Sequence, residues 1–185
     1  IVTALLLPFI VAPSFVAIVF RSAFAASGDV NGVLNGLGLP AVPWLTTAAG
    51  ARLAVSAMAL WEGFGFNVVL VYAALQRLPR DLFEAASLDG ASELTAVRRI
   101  ALPLTVPILL FVAVTTTFSA FNLFTEPQLL TGGGPGSATL APGLLVYRTG
   151  MVYGRFGEAA ALGLITGAIA SVAGLLLVRI MRERT

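Results

Sequence analysis

Two runs of this chain, residues 1–20 and 102–124, contain no charged side chain at all. Two more are nearly as clean: residues 49–75 hold only Arg52 and Glu62, and residues 157–178 hold only Glu158. Each run is 20 to 27 residues long, enough for a helix to cross the roughly 30 Å hydrocarbon core of a bilayer. A backbone inside lipid must satisfy its own N–H and C=O groups, so such runs are read as helices. Composition agrees, with 58% hydrophobic and 11% charged residues among 185, against about 25% charged in a soluble domain. The expected fold is all-α, a polytopic transmembrane helical bundle with four spans. Pro8 and Pro13 are expected to kink the first.

The residue inventory excludes several kinds of chemistry. The chain has no Cys and no His, and every basic residue is Arg. It therefore has no thiolate or imidazole metal site and no histidine base. Without Lys it is no P-loop ATPase. These absences, and the lack of a carboxylate pair within one run, argue against a membrane enzyme. The sequence pI of about 9.7 reflects Arg at membrane flanks, not a nucleic-acid surface. The chain starts at Ile1 inside an apolar run, with no initiator Met and no basic leader. The expectation is that further sequence, with one or more spans, precedes it.

Residues 76–101 form the polar segment between the second and third runs. Asp81, Glu84, Asp89, Glu93, Arg98 and Arg99 cluster there. Pro79 suits a first helical turn, and Asp81 and Glu84 lie toward the positive end of that helix. Gly90 is expected to end it in the left-handed conformation. Ser92 then caps a second short helix with Arg98 and Arg99 in its last turn. Pro103 stops that helix or opens the next. The expected product is a helix–Gly–helix elbow, with Ala85, Ala86 and Ala91 leaving bare surface for another body. The alternative is an ordinary polar loop.

Residues 21–48 are rich in Gly, Asn and Pro and read as a loop with short helical turns, with Trp44 as an interface anchor. Residues 131–136, Thr-Gly-Gly-Gly-Pro-Gly, must turn, and residues 142–153 read as a short helix near the interface. Arg77, Arg80, Arg98, Arg99, Arg179, Arg182 and Arg184 fall on one side of the predicted spans. Arg21, Arg148 and Arg155 fall on the other, with Arg52 at the start of the second span. The positive-inside rule then places the elbow, the C-terminus and Ile1 on the cytoplasmic side.

Inside the spans, Ala159, Gly163, Gly167 and Ser171, with Gly174 nearby, make a small-residue face for close helix packing. Glu62 is a costly intramembrane carboxylate and a functional candidate. Equally, it reaches water near the outer end or pairs with Arg52. Trp61, Gly65 and Tyr72 share one helical face, and Ser56, Gly63 and Asn67 another. Thr115, Ser119, Asn122 and Glu126 follow helical spacing as a polar stripe, which should meet protein or a water-filled path. Asn122 offers donor and acceptor together, suiting hydroxyl-rich ligands.

The spacing Glu84-Ala85-Ala86, three residues, Gly90, nine residues, Ile100, one residue, Leu102-Pro103 resembles the EAA loop of ABC-importer permeases. Asp89-Gly90-Ala91, the Ile-x-Leu-Pro ending, residues 121–135 (FNLFTEPQLLTGGGP) and residues 153–162 are similar to maltose-type, MalF-like carbohydrate permeases. The resemblance covers essentially the whole chain, as the C-terminal two-thirds of such a protein. One departure is Val97, where an aromatic is usual.

The resemblance implies a type I importer permease of a bacterial or archaeal plasma membrane. Its partners would be a second permease subunit, a cytoplasmic ABC ATPase dimer, an extracellular solute-binding protein and membrane lipid. ATP and Mg would be bound by the ATPase and none by this chain. Glu84, Ala85, Ala86, Asp89, Gly90, Ile100, Leu102 and Pro103 would couple to the ATPase, with Glu84 ion-paired to one of its arginines. Thr115, Ser119, Asn122, Asn67, Glu62 and Trp61 are the substrate-path candidates. A non-sugar cargo, a scaffold without a path and a channel are the competing readings.

Overall fold

The computed structural model describes residues 6–182. The described residues are helical or irregular, with no strand. In chain order the helices are α1 (Leu7–Ile10), α2 (Pro13–Ala23), α3 (Asp29–Gly36), α4 (Ala48–Gln76), α5 (Arg80–Leu88) and α6 (Glu93–Ala96). They are followed by α7 (Leu102–Phe121), α8 (Thr125–Leu130), α9 (Pro142–Tyr147) and α10 (Phe156–Arg182). Two π-helical turns, Val97–Ala101 and Arg148–Val152, join α6 to α7 and extend α9.

Three helices among the described residues are long and apolar enough to cross a membrane: Ala48–Gln76, Glu93–Phe121 and Phe156–Met181. The expected first span is not one of them. Val11 and Ala12 are extended, with ψ of 134° and 128°. That leaves a four-residue α1 and an eleven-residue α2. Pro13 explains the break, because a proline pushes the preceding residue out of the helical region. Eleven residues rise only about 16 Å, short of a crossing. Residues 1–5, where the expected span begins, and Arg184 of the tail lie outside the described residues.

The third span also differs. Ser92 caps α6, accepting from the Thr95 N–H at 3.3 Å, but no second short helix ends near Arg99. The helix continues from Glu93 to Phe121 as one rod of 29 residues. Pro103 does not stop it and stands in the first turn of α7. A proline cannot donate to the carbonyl four residues back, and its ring crowds that carbonyl. Here the backbone widens instead, and the Leu102 N–H reaches back five residues to Val97 O. The buried Thr105 hydroxyl then donates to Ala101 O at 2.9 Å. Arg98 and Arg99 sit in the last turn of this wide segment.

The rods lie side by side in the order α10, α7, α4, with α1 and α2 against α4. Phe9 of α1 stacks on Phe66 of α4 with ring centroids 5.0 Å apart. α8 crosses α2 and α4 at the loop end. There Val16, Ala17, Ala54, Val55, Met58 and Leu130 form the core, flanked by Phe20, Phe24 and Leu45. Its small members let helices approach closely, which in lipid supplies the packing energy that hydrophobic burial supplies in water.

The small face of α10 is used only in part. Ala159 is buried, and Gly174 sits against Val114 of α7. Gly163 and Gly167 face open space in this chain.

Candidate functional site

The elbow projects from one end of the bundle. Pro79 is the residue just before α5, at φ −62° and ψ 127°, and Asp81 lies in the first turn. The exit is a Schellman corner. The Ala91 N–H bonds to Ala86 O at 2.9 Å and the Gly90 N–H to Ser87 O at 3.1 Å. Gly90 takes φ +75° there, a region that costs other residues about 1–2 kcal/mol. No residue of α5 is buried. Leu88 is 89% exposed and Leu94 59%, and Glu84, Ala85 and Asp89 are exposed. Ala86 is half-buried, as is Ile100 in the wide turn, while Leu102 and Pro103 are exposed at the start of α7. Leu88 and Leu94 thus present apolar side chains outward among exposed polar neighbours.

The other candidate residues lie on α4 and α7. A cleft of about 630 Å³ runs along α4, with Phe64, Asn67, Tyr72 and Thr116 in its lining. The Asn67 amide donates to Thr116 Oγ1 at 3.4 Å, joining α4 to α7. The neighbouring Thr115 is turned back on its own helix, donating to Phe111 O at 2.9 Å. Ser119 is exposed. Trp61 packs on Phe20 of α2, ring centroids 5.8 Å apart.

The expected stripe from Thr115 to Glu126 does not exist as one helical face. The helix ends at Phe121, and Asn122 is its C-cap. The exposed Asn122 amide donates to Phe118 O at 2.9 Å. Glu126 belongs to α8, which folds back so that its carboxyl lies beside that of Glu62. Glu62 Oε1 is buried without a hydrogen-bond partner among the described residues. Its anticipated partner Arg52 is engaged elsewhere, donating from Nε to Ala138 O at 3.0 Å.

That Arg52 contact is half of a clamp on residues 131–139. Arg148 donates to Gly132 O, near the other end of that segment. Within the loop, Thr139 pairs with Thr131 at 2.6 Å and donates to Gly134 O at 2.9 Å. The Gly-rich turn expected from sequence is thus held by two arginines from distant helical segments.

The arrangement combines a broken entry helix, an exposed elbow, a single rod from elbow to loop end and a clamped Gly-rich loop. The family described as binding-protein-dependent transport system inner membrane component matches residues 1–184. This chain belongs to that permease family. The sulfoquinovosyl glycerol transport system permease protein SmoG of Agrobacterium fabrum is 30% identical over 182 residues, 98% of this chain and 59% of that protein. The trehalose/maltose transport system permease protein MalF of Thermococcus litoralis is 37% identical over 139 residues, 75% of this chain and 47% of that protein. A crystal structure of a bacterial ABC transporter involved in the import of the acidic polysaccharide alginate superposes on all of this chain and 65% of that one. Its TM-score is 0.84, at 26% identity. The same transporter with an alginate pentasaccharide-bound periplasmic protein matches equally well. The permease chain described here spans between 47% and 65% of the length of these relatives.

Some residues that organise this permease give little signal in sequence. Asn31 is 2% exposed. Its amide donates to Ala25 O, Ala26 O and Val42 O, while its Oδ1 accepts from the Val42 N–H and Trp44 Nε1. Trp44 is therefore pinned to the loop, half-buried and edge-on to Phe24, not a free interface anchor. Nor does the sequence mark the contact of Thr116 with Asn67 or that of Arg148 with Gly132. Polar residues in a Gly- and Pro-rich segment are common, and nothing in their spacing marks the one that is buried.

Proposed function

We propose that this chain is a membrane-spanning permease subunit of an ATP-driven importer, moving a sugar delivered by an extracellular solute-binding protein. The observation that carries the reading is the elbow. It is a hydrogen-bonded corner whose leading helix has no fully buried residue, followed directly by a membrane-length rod. A body that grips α5 therefore acts on α7 through the short Gly90 corner. The family membership and the transport functions named for its relatives support the same reading.

In this account a dimer of ABC ATPases, holding ATP and Mg, seats the elbow on the cytoplasmic side. Leu88 and Leu94 supply apolar contact, with Ala85 and Ala86 allowing close approach. Glu84 pairs with an arginine of the ATPase. Asp89 and Gly90 set the corner, and Ile100, Leu102 and Pro103 fix its root. A second permease subunit completes the path. Trp61, Glu62, Asn67, Thr115, Ser119 and Asn122 contribute this chain's side of it. The membrane is the bacterial or archaeal plasma membrane.

Gly90→Asp tests the coupling. The full-length gene product carrying it should lose both ATP-driven uptake and co-purification of the ATPase. If both survive, the elbow is not the coupling element.

A further inference from the structure

Between the last turns of α4 and the first turns of α7 lies a second cleft, of about 550 Å³. That is within the ~300–1,000 Å³ typical of ligand-binding clefts. Its walls are apolar, with Leu70, Ala73, Leu104, Pro107 and Ile108 in the lining. The one charged residue in the lining is Arg77. From Leu70 to Ala74 the cleft follows about 6 Å of α4 at 1.5 Å per residue, and it continues past the helix end to Arg77 and Leu78.

Arg77 is the C-cap of a 29-residue apolar helix, so its guanidinium stands where a span meets the headgroup layer. It is exposed, and no ion pair or side-chain hydrogen bond engages it among the described residues. The elbow's acids, Asp81, Glu84, Asp89 and Glu93, lie on α5, at its C-cap and at the start of α6. None of them lines the cleft. Arg98 and Arg99 precede Leu104 by less than two turns on the adjoining helix and add positive charge near the same level.

Different occupants satisfy these features differently. An apolar helix would fill the walls and leave a guanidinium unpaired against it, which is costly away from water. A soluble anion would satisfy Arg77 and leave the apolar walls wet. An anionic phospholipid satisfies both. We propose that this cleft binds one, with the headgroup phosphate on Arg77 and an acyl chain along Leu70, Leu104 and Ile108. The lipid would fasten α4 to α7 at the root of the elbow.

The test is native mass spectrometry of the full-length gene product in mild detergent, titrated with phosphatidylglycerol or phosphatidylcholine. The expected result is a several-fold excess of phosphatidylglycerol adduct. Arg77→Gln should reduce that adduct to the phosphatidylcholine level, while Arg77→Lys and Arg21→Gln keep the excess. Ala73→Trp, which fills the cleft without touching the charge, should lower both adducts. Equal adducts in the unmodified protein, or an excess that survives Arg77→Gln, would overturn the proposal. So would full competition by glycerol 3-phosphate, which would mark a soluble-anion site. Crosslinking of Ala74→Cys, labelled with a photoreactive maleimide, to a second permease chain in native membranes would overturn the proposal and assign the cleft to a protein helix instead.

Discussion

The indole Nε1 of Trp44 donates to Asn31 Oδ1 at 3.0 Å, thirteen residues away along the chain. That bond closes the loop between α2 and α4 around one buried side chain. Asn31→Ala would leave the Trp44 and Val42 N–H groups and the carbonyls of Ala25, Ala26 and Val42 without this partner. An unsatisfied buried group costs about 1–3 kcal/mol, and because these partners are only part-buried a total loss of about 1–3 kcal/mol is expected. Asn31→Asp keeps an acceptor for Trp44 and Val42 and should cost less. Thermal unfolding in detergent reads both, and equal midpoints for Asn31→Ala and the parent would refute the hub.

Gly143, near the start of α9, is pressed against the chain at Asn122 and Leu123. A Cβ there would sit 2.8 Å from Asn122 O and 2.9 Å from Leu123 O, both backbone atoms. Backbone cannot swing aside as a side-chain tip can. Gly143→Ala should therefore cost about 1–3 kcal/mol, as overpacking does. It should also loosen α9, read as faster amide exchange over residues 142–147.

The clamp on residues 131–139 makes a separate prediction. Arg148→Met removes the donor to Gly132 O, and Arg52→Met the donor to Ala138 O. Each should raise amide exchange within the loop, and the double variant should raise it further. Exchange over α10 serves as the internal control and should stay unchanged.

The Asn67–Thr116 bond is long, at 3.4 Å. Interhelical hydrogen bonds in membrane proteins average about 0.6 kcal/mol. A double-mutant cycle with Asn67→Leu and Thr116→Val should return about that value or less. A coupling above about 1.5 kcal/mol would mean that the two side chains do more than join α4 to α7.

The elbow corner was legible because its signals are local. Gly90 and Ser92 declare a helix stop and a helix cap within three residues, and the backbone obeys both. The three long rods were legible because apolar length is decisive in lipid. In the first expected span, whose residues 1–5 lie outside the described residues, Pro8 and Pro13 do more than kink one helix. The extended pair Val11 and Ala12 instead divides the helix. At Pro103, which stands in the first turn of α7, a widened turn and the Thr105 hydroxyl keep the rod whole. Helical spacing also carried the polar stripe past Phe121. The stop there has no Gly or Pro signal, and Glu126 reaches Glu62 only through tertiary folding. Likewise, no periodicity reports that Asn31 is buried or that Arg148 reaches Gly132.

The central claim, that the elbow is the seat of an ATPase, is tested most directly by photo-crosslinking from Leu88, whose side chain is 89% exposed. A photoreactive phenylalanine analogue at that position is irradiated in native membranes, and the adduct is identified by mass spectrometry. The account predicts a single main adduct with a P-loop ATPase, lost when Gly90→Asp is added. Labelling of lipid alone, or of another protein with no nucleotide-binding motif, would contradict it.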